Sequence, residues 1–218
     1  MVPVTTQPKT RKAQATRQRQ LKAAEALFAE KGFFATSIVD ITQAANVALG
    51  TFYLYFPSKL AIFQELVRHL NEALRLHLRT AIQGLTRRAE IERAGFQAFF
   101  TFVNQQRNLY GIVSQAELVD PKLYRWYYRS LAGNYAKGLA KSIKSGDIKD
   151  LDPETMAWCL MGMAHFLGMR WMLWQGKAVP DRQLETVLEF IDHGMLALSQ
   201  ESDSRKFRSR SSSKGRKL

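Results

Sequence analysis

Apolar residues recur at helical spacing along most of this chain, and proline, glycine and short polar residues cut the pattern into segments. Leu21, Ala24, Leu27 and Phe28 form one stripe, with Gly32 behind them at a C-cap position. Ser37 and Asp40 then have the spacing of a capping box for a short helix containing Ile38 and Ile41. Asn46, Val47 and Ala48 have the makeup of a tight turn. Pro57 and Ser58 open a long helix along which Leu60, Phe63, Leu66, Val67, Leu70, Leu74 and Leu78 keep the period. Further helices are predicted over 89–110, where Phe96, Phe99, Phe100 and Val103 share a face, and over a short piece ending before Pro121. Three more follow, over 121–146, over 153–176 and from Pro180 onward. No segment alternates as a series of strands does and no internal repeat is visible, so the expected fold class is all-α.

One stretch resists this reading. Residues 48–56 read ALGTFYLYF, with the aromatic density of a strand and a glycine that weakens a helix interior. Placed between a short capped helix with its turn and a long helix, however, they have the spacing of the second helix of a helix-turn-helix. Phe52 and Phe56 then point inward as i,i+4 partners with Ile41 and Val47, while Leu49, Gly50 and Tyr53 face outward. A helix pressed against DNA uses a glycine for close approach and tyrosines as stiff donors to phosphate. From spacing alone, a small aromatic core or an edge strand remains the alternative.

Charge sharpens the picture once it is located. The net charge is +13, of which residues 1–20 carry +5 and residues 204–218 carry +7, leaving +1 for the body between. Both ends are rich in Ser, Thr, Lys and Arg and read as flexible arms, either nucleic-acid contacts or solubilising tails. The 46% apolar content is enough for a core in a chain of 218 residues. Cys159 is the only cysteine, which excludes an intrachain disulfide framework and a multi-cysteine zinc site. The first twenty residues hold no apolar leader, so the expected location is the cytoplasm. Residues 156–174 are apolar on nearly every side, but His165 and Arg170 interrupt the run. That argues for burial against other helices, with no membrane partner.

Enzymatic readings find little. GxSxG, HExxH and GxGxxG are absent, and GNYAKGLAK has P-loop glycine spacing with Leu139 where the lysine must stand. His69 and His77 have no carboxylate or cysteine cluster beside them, and Asp192 with His193 reads as a solvated helix face. No catalytic residue, metal ligand or cofactor is therefore expected.

The segment LKAAEALFAEKGFFATSIVDITQAANVALGTFYLYFPSKLAIF resembles the DNA-binding region of the TetR (tetracycline-repressor-like) transcriptional regulators. AAEALFAEKGF, TSIVDI, AANV and above all GTFYLYFPSK carry the resemblance, over about residues 17–63. It implies a three-helix DNA-binding domain followed by a helical ligand-binding and dimerisation domain. Thr36 and Ser37 would contact DNA from the start of its second helix, Gly50, Thr51, Tyr53 and Tyr55 would contact it from the recognition helix, and Lys59 would meet phosphate. Family members commonly have Ser in place of Ala48 and a polar residue in place of Leu49; here Leu49 is left to touch a thymine methyl. The implied division is a flexible basic arm (1–16), a helix-turn-helix domain (17–63), a helical effector and dimer domain (64–200) and a flexible basic tail (201–218).

Aromatic crowding in the second domain suggests an effector pocket around Phe96, Phe99, Phe100, Trp126, Tyr127, Met163 and Phe166, plain core packing being the alternative for each. Gln115, Tyr128, His165, Arg107 and Arg170 are the candidate polar anchors. The resemblance implies that the last two helices pair with those of a second subunit. Gly162 and Gly168 would allow close contact there, and Leu184, Leu188, Ile191 and Met195 would supply the apolar face. The expected function is a dimeric repressor of a palindromic double-stranded DNA operator, released by a small apolar effector such as a fatty acyl thioester. A sequence-tolerant architectural nucleic-acid-binding protein is the alternative.

Overall fold

The computed structural model describes residues 10–196. Four helices lead: α1 (Arg11–Ala35), α2 (Ile38–Ala44), α3 (Leu49–Tyr53) and α4 (Lys59–Ala81). Five follow: α5 (Arg88–Gln105), α6 (Arg107–Val119), α7 (Pro121–Lys144), α8 (Pro153–Gly168) and α9 (Asp181–Met195), with a π-helical turn, Met169–Trp174, after α8. Among the described residues, extended pairing is limited to one isolated antiparallel bridge, Ile148–Leu196. No helix among them is long and apolar enough to cross a membrane.

The predicted caps are in place. The Asp40 amide donates to Ser37 Oγ at 3.1 Å and the Ser37 amide donates back to Asp40 Oδ2 at 2.8 Å, closing the capping box of α2. Those bonds hold the Asp40 carboxyl below the ordinary carboxylate range. Ser58 caps α4 by accepting from the Ala61 amide, and Asp120 and Asp152 cap α7 and α8 ahead of Pro121 and Pro153. Each cap contributes about 1 kcal/mol, whereas burial of one phenylalanine is worth about 3–5 kcal/mol by truncation. The caps therefore set where helices begin, and the core decides whether they form.

That core has two clusters. The first gathers Phe28, Ile41, Phe52, Phe56, Ile62, Phe63, Leu66, Val67, Leu70 and Leu74, and it continues without a seam into Leu109, Ile112, Val113, Leu123 and Tyr127. The second holds Phe96, Phe100, Val103, Leu139, Leu160, Met172 and the α9 stripe Leu184, Leu188, Ile191 and Met195. The packing boundary thus falls well beyond the expected division at residues 63 and 64, because α4 offers one continuous apolar face to both α1 and α6.

Three further expectations need correction. Residues 11–16, assigned to a flexible arm, are the first turns of α1: Thr10 caps them by accepting from the Ala13 amide at 3.2 Å, and no breaker separates them from Leu21. Residues 1–9 and 197–218, with the basic tail, lie outside the described residues. The helix read over 89–110 is two helices, broken at Gln106, whose backbone (φ −120°, ψ 39°) is non-helical. The helix expected to reach Gly176 widens to the π-helical turn after Gly168 and ends at Trp174, ahead of Gly176, where φ is +65°.

Gly32 ends the long run of α1 with φ +80° and ψ 165°, a conformation open essentially to glycine alone. A Cβ placed there meets nothing nearer than Gln115 Oε1 at 3.7 Å, so any penalty is conformational rather than steric. Gly32→Ala is expected to lower stability by about 1–3 kcal/mol with little change in m-value, measured by urea denaturation.

Candidate nucleic-acid interface and ligand cavity

Helices α2 and α3 meet through a tight turn in which Asn46 takes φ +51°. Phe52 and Phe56 are fully buried with rings 5.7 Å apart, and Ile41 is buried beside them. This strips ALGTFYLYF of its strand character: the inward aromatics are core, and the remainder is surface. Leu49 is 48% and Tyr53 53% exposed. Gly50 is exposed, and a Cβ added there would find open space. Thr51 and Tyr55 are half-buried, and Tyr55 leans on the core. Ala48 provides no side-chain cap for α3, as the missing serine implied. The outward strip is therefore Leu49, Gly50 and Tyr53, with Leu54 also exposed beyond it.

Two of the expected DNA-facing residues are turned to other work. Thr36 is 1% exposed, and its hydroxyl donates to the carbonyls of Gly32 at 2.8 Å and Leu27 at 3.3 Å. Its side chain closes the end of α1 and is not on the outward face; Ser37 next to it is exposed. Lys59 donates to the carbonyls of Phe33 (2.7 Å), Thr36 (2.6 Å) and, more weakly, Phe34 (3.5 Å), with its ammonium 4.4 Å from the centre of the Phe33 ring. An ammonium has three donors, and a phosphate would have to share them with these carbonyls. Burial pulls the Lys59 pKa below its ordinary value. On the opposite side Arg17 pairs with Glu65 and lies over the Phe56 ring, joining α1 to α4.

Beyond these helices lies a cavity of about 450 Å³. Helix α4 contributes Leu74, Arg75, Leu78 and Arg79, with Ile82 just past its end; α5 contributes Glu92, Phe96 and Phe99; Tyr110, Tyr127, Tyr128, Leu160 and His165 lie on the remaining walls. Of the aromatics expected there, Phe96, Phe99 and Tyr127 line it. Phe100 is packed into the second core cluster, and Met163 lies against that cluster outside the lining. Trp126 lies outside as well, 39% exposed and stacked under Arg68. Phe166 points outward at 65% exposure. These four share the helical spacing of the lining residues but occupy other sides of their helices.

Among the candidate anchors, His165 Nδ1 and Tyr110 Oη share a hydrogen bond of 2.5 Å inside the lining. Burial lowers the His165 pKa and raises that of Tyr110, so both are neutral at physiological pH. Tyr128 also lines the cavity. Gln115 does not: it accepts from the Phe33 amide at 2.8 Å and donates to the Phe28 carbonyl at 2.9 Å, clasping α6 to the end of α1. Arg107 donates to the Gly176 carbonyl, and Arg170 is exposed over Trp171. Sequence reasoning does not reach a buried polar set in the cavity lining. Arg88 pairs with Glu92 through Nε at 2.6 Å, and Tyr135 donates to the same carboxylate. The i,i+4 spacing of Arg88 and Glu92 was the available signal.

The α9 stripe expected at a dimer interface is turned inward instead. Leu184, Leu188, Ile191 and Met195 are buried within the chain, because α9 lays that stripe on α5. Gly168 is buried too, its outward direction meeting the Phe99 ring at 3.5 Å. Gly162 is half-buried and lies between the exposed Trp158 and Phe166 on α8. Among the described residues no group of His, Cys, Asp or Glu has the makeup of a metal site.

Residues 21–66 match the profile described as bacterial regulatory proteins, tetR family. The chain is 30% identical over 189 residues to the HTH-type transcriptional regulator YdgC of Bacillus subtilis, covering 83% of this chain and 93% of the relative. Among solved structures it superposes on GusR of Salmonella enterica with a TM-score of 0.70 at 23% identity, over 82% of this chain and 94% of that one. It also superposes on the ketosteroid transcriptional regulator KstR2 of Mycobacterium tuberculosis with a TM-score of 0.65 at 21% identity, over 89% and 100% of the two chains.

Removing the Lys59 ammonium strands three carbonyls at the α1–α2 junction. Lys59→Met, which keeps the stem over Phe33, is expected to cost about 1–3 kcal/mol in thermal or urea unfolding at any ionic strength. A variant as stable as the wild type would assign the lysine no structural part.

Proposed function

The chain belongs to the TetR family of DNA-binding transcriptional regulators, and from that premise we propose that it is a dimeric, effector-responsive repressor acting on a palindromic operator in the cytoplasm. The outward strip Leu49, Gly50 and Tyr53, with Ser37 at the start of α2, is its DNA-reading surface. Tyr55 and Thr51 border that strip, and Thr36 and Lys59 act by fixing its orientation. Leu49 suits a thymine methyl, Tyr53 a phosphate or base edge, and Gly50 lets the backbone approach the groove.

One observation carries the regulatory half of the reading: α4 belongs to both functional regions. Its first turn holds Lys59 against the α1–α2 junction, and its last turns form a wall of the cavity. A molecule filling the cavity displaces the far end of a rigid helix whose near end sets the reading surface. Tyr110 and Gln115 give α6 a second such link, one lining the cavity and the other clasping α1. A hundredfold loss of operator affinity needs roughly 2.7 kcal/mol of differential binding, ordinary for allostery.

The two-fold partner is a second copy of this chain packed on the α8 row of exposed Trp158, half-buried Gly162 and exposed Phe166, with the exposed Phe190 of α9 as a further apolar contact. Phe166 and Phe190 are 65% and 68% exposed, a large apolar display for a lone subunit. A dimer of this kind presents its two α3 helices to successive major grooves about 34–36 Å apart.

Tyr53→Ala is expected to weaken operator binding by roughly 1–3 kcal/mol without altering stability, measured by titration of labelled duplex at fixed salt. Equal affinity for specific and random duplexes in the wild type would favour an architectural nucleic-acid-binding protein instead. Phe166→Asp is expected to convert the dimer to folded monomer, read by sedimentation velocity, and an unchanged sedimentation coefficient would remove this face from the interface.

A further inference from the structure

The cavity walls are mostly aliphatic and aromatic, yet three guanidinium groups are part of them, and two of these have no partner among the described residues. Arg75 and Arg79 stand one helical turn apart on α4, beside Leu74, Leu78 and Ile82. Neither makes an ion pair or a hydrogen bond with any described residue. Arg79 is exposed and Arg75 half-buried, which places the pair at the solvent-facing end of the cavity. The other charges in the lining cancel: Arg88 is bound by Glu92, and Tyr135 donates to the same carboxylate. His165 is neutral, its proton affinity lowered by burial. Glu92 is the one acid of the lining and is already committed, so nothing within the cavity answers the two arginines. Like charges four residues apart on a helix repel, and an anion between them relieves that repulsion while accepting forked hydrogen bonds.

We propose that the effector is an amphiphilic anion, with an apolar body among Leu78, Phe96, Phe99 and Tyr127 and a carboxylate or phosphate head held by Arg75 and Arg79. The inference rests on the cavity being the effector site, and it excludes cationic effectors. Head groups at the mouth have room to continue into solvent, so a free carboxylate and the thioester of a phosphorylated carrier share the recognition chemistry.

The test is isothermal titration of the full chain with four probes of one chain length, all below their micellar concentrations: dodecanoate, dodecanoyl-coenzyme A, dodecanol and dodecyltrimethylammonium. At least one of the two anionic probes is expected to bind roughly tenfold or more tighter than the alcohol, and the ammonium weakest. Which of the two binds identifies the source of the anionic head. The double variant Arg75→Gln/Arg79→Gln is expected to lose most of that preference and to close the gap with dodecanol. Gly95→Leu supplies the control for the site itself, since Gly95 lines the cavity and its added Cβ meets nothing within 4 Å. It should weaken every probe. If dodecanol binds as tightly as the anions, and Gly95→Leu weakens both, the cavity stands as the site and the anion proposal falls. If an anion is preferred and Gly95→Leu changes nothing, the site reading falls and takes the proposal with it. Preference for the ammonium, an unchanged anion preference in the double variant, or no binding by any probe also overturns it.

Discussion

The carbonyl groups at the end of α1 tie this molecule together. A helix leaves its last carbonyls without partners, and Gly32 exposes them by turning the chain sharply away. Here they are taken up by three side chains from three different places. Thr36, ahead of α2, donates to Gly32 and Leu27; Lys59, at the start of α4, donates to Phe33, Phe34 and Thr36; Gln115, on α6, bonds to Phe28 and Phe33. Each bond alone is worth about a kcal/mol, more where the lysine charge assists. Jointly they fix the directions of α2, α4 and α6 relative to α1, and therefore the direction of α3, which follows α2 after a short turn. The outward strip at Leu49 and Tyr53 has a defined aim because of that junction.

Polar groups elsewhere divide into those that are satisfied and those that are not. The Arg88–Glu92 pair is 3% and 2% exposed, with Tyr135 completing the hydrogen bonding of its carboxylate. Breaking such a buried pair costs far more than forming it gains, so it serves as a rigid, electrically quiet wall. Arg75 and Arg79 on the facing helix are the opposite, two full charges with no internal partner. The cavity is thus apolar in its body and positive in net charge at its mouth.

Much of the fold is legible in the sequence, for local reasons. Ser37 with Asp40, Ser58, and the prolines at 121, 153 and 180 mark helix starts because capping depends on neighbouring residues alone. Phe52 and Phe56 were placed inward by their i,i+4 spacing. What spacing does not carry is the identity of the surface that buries a stripe. Leu184, Leu188, Ile191 and Met195 have the period of a buried face whether a second subunit or α5 covers them, and α5 does. The backbone bonds of Thr36 and Lys59 are not visible in spacing, because their partners lie 4–26 positions away. Trp126 and Phe166 were read as pocket residues because aromatic character does not say which side of a helix faces the void. Nothing in the spacing of Arg75 and Arg79 marks them as cavity residues; neither has an acid four residues away.

The core that runs without interruption from Phe28 and Phe52 through Leu66 and Leu70 to Ile112 and Tyr127 has a consequence for how the protein fails. Parts that share one apolar interior melt together, since exposing either side of it strips water-shielding from the other. A fragment cut after the helix-turn-helix would present Ile62, Phe63 and Leu66 without the α6 and α7 residues that complete their cluster. Damage in the sensing half therefore does not leave a competent reader behind. A copy destabilised there loses the packing of its helix-turn-helix along with the rest of that interior, and so opens to proteases as one unit.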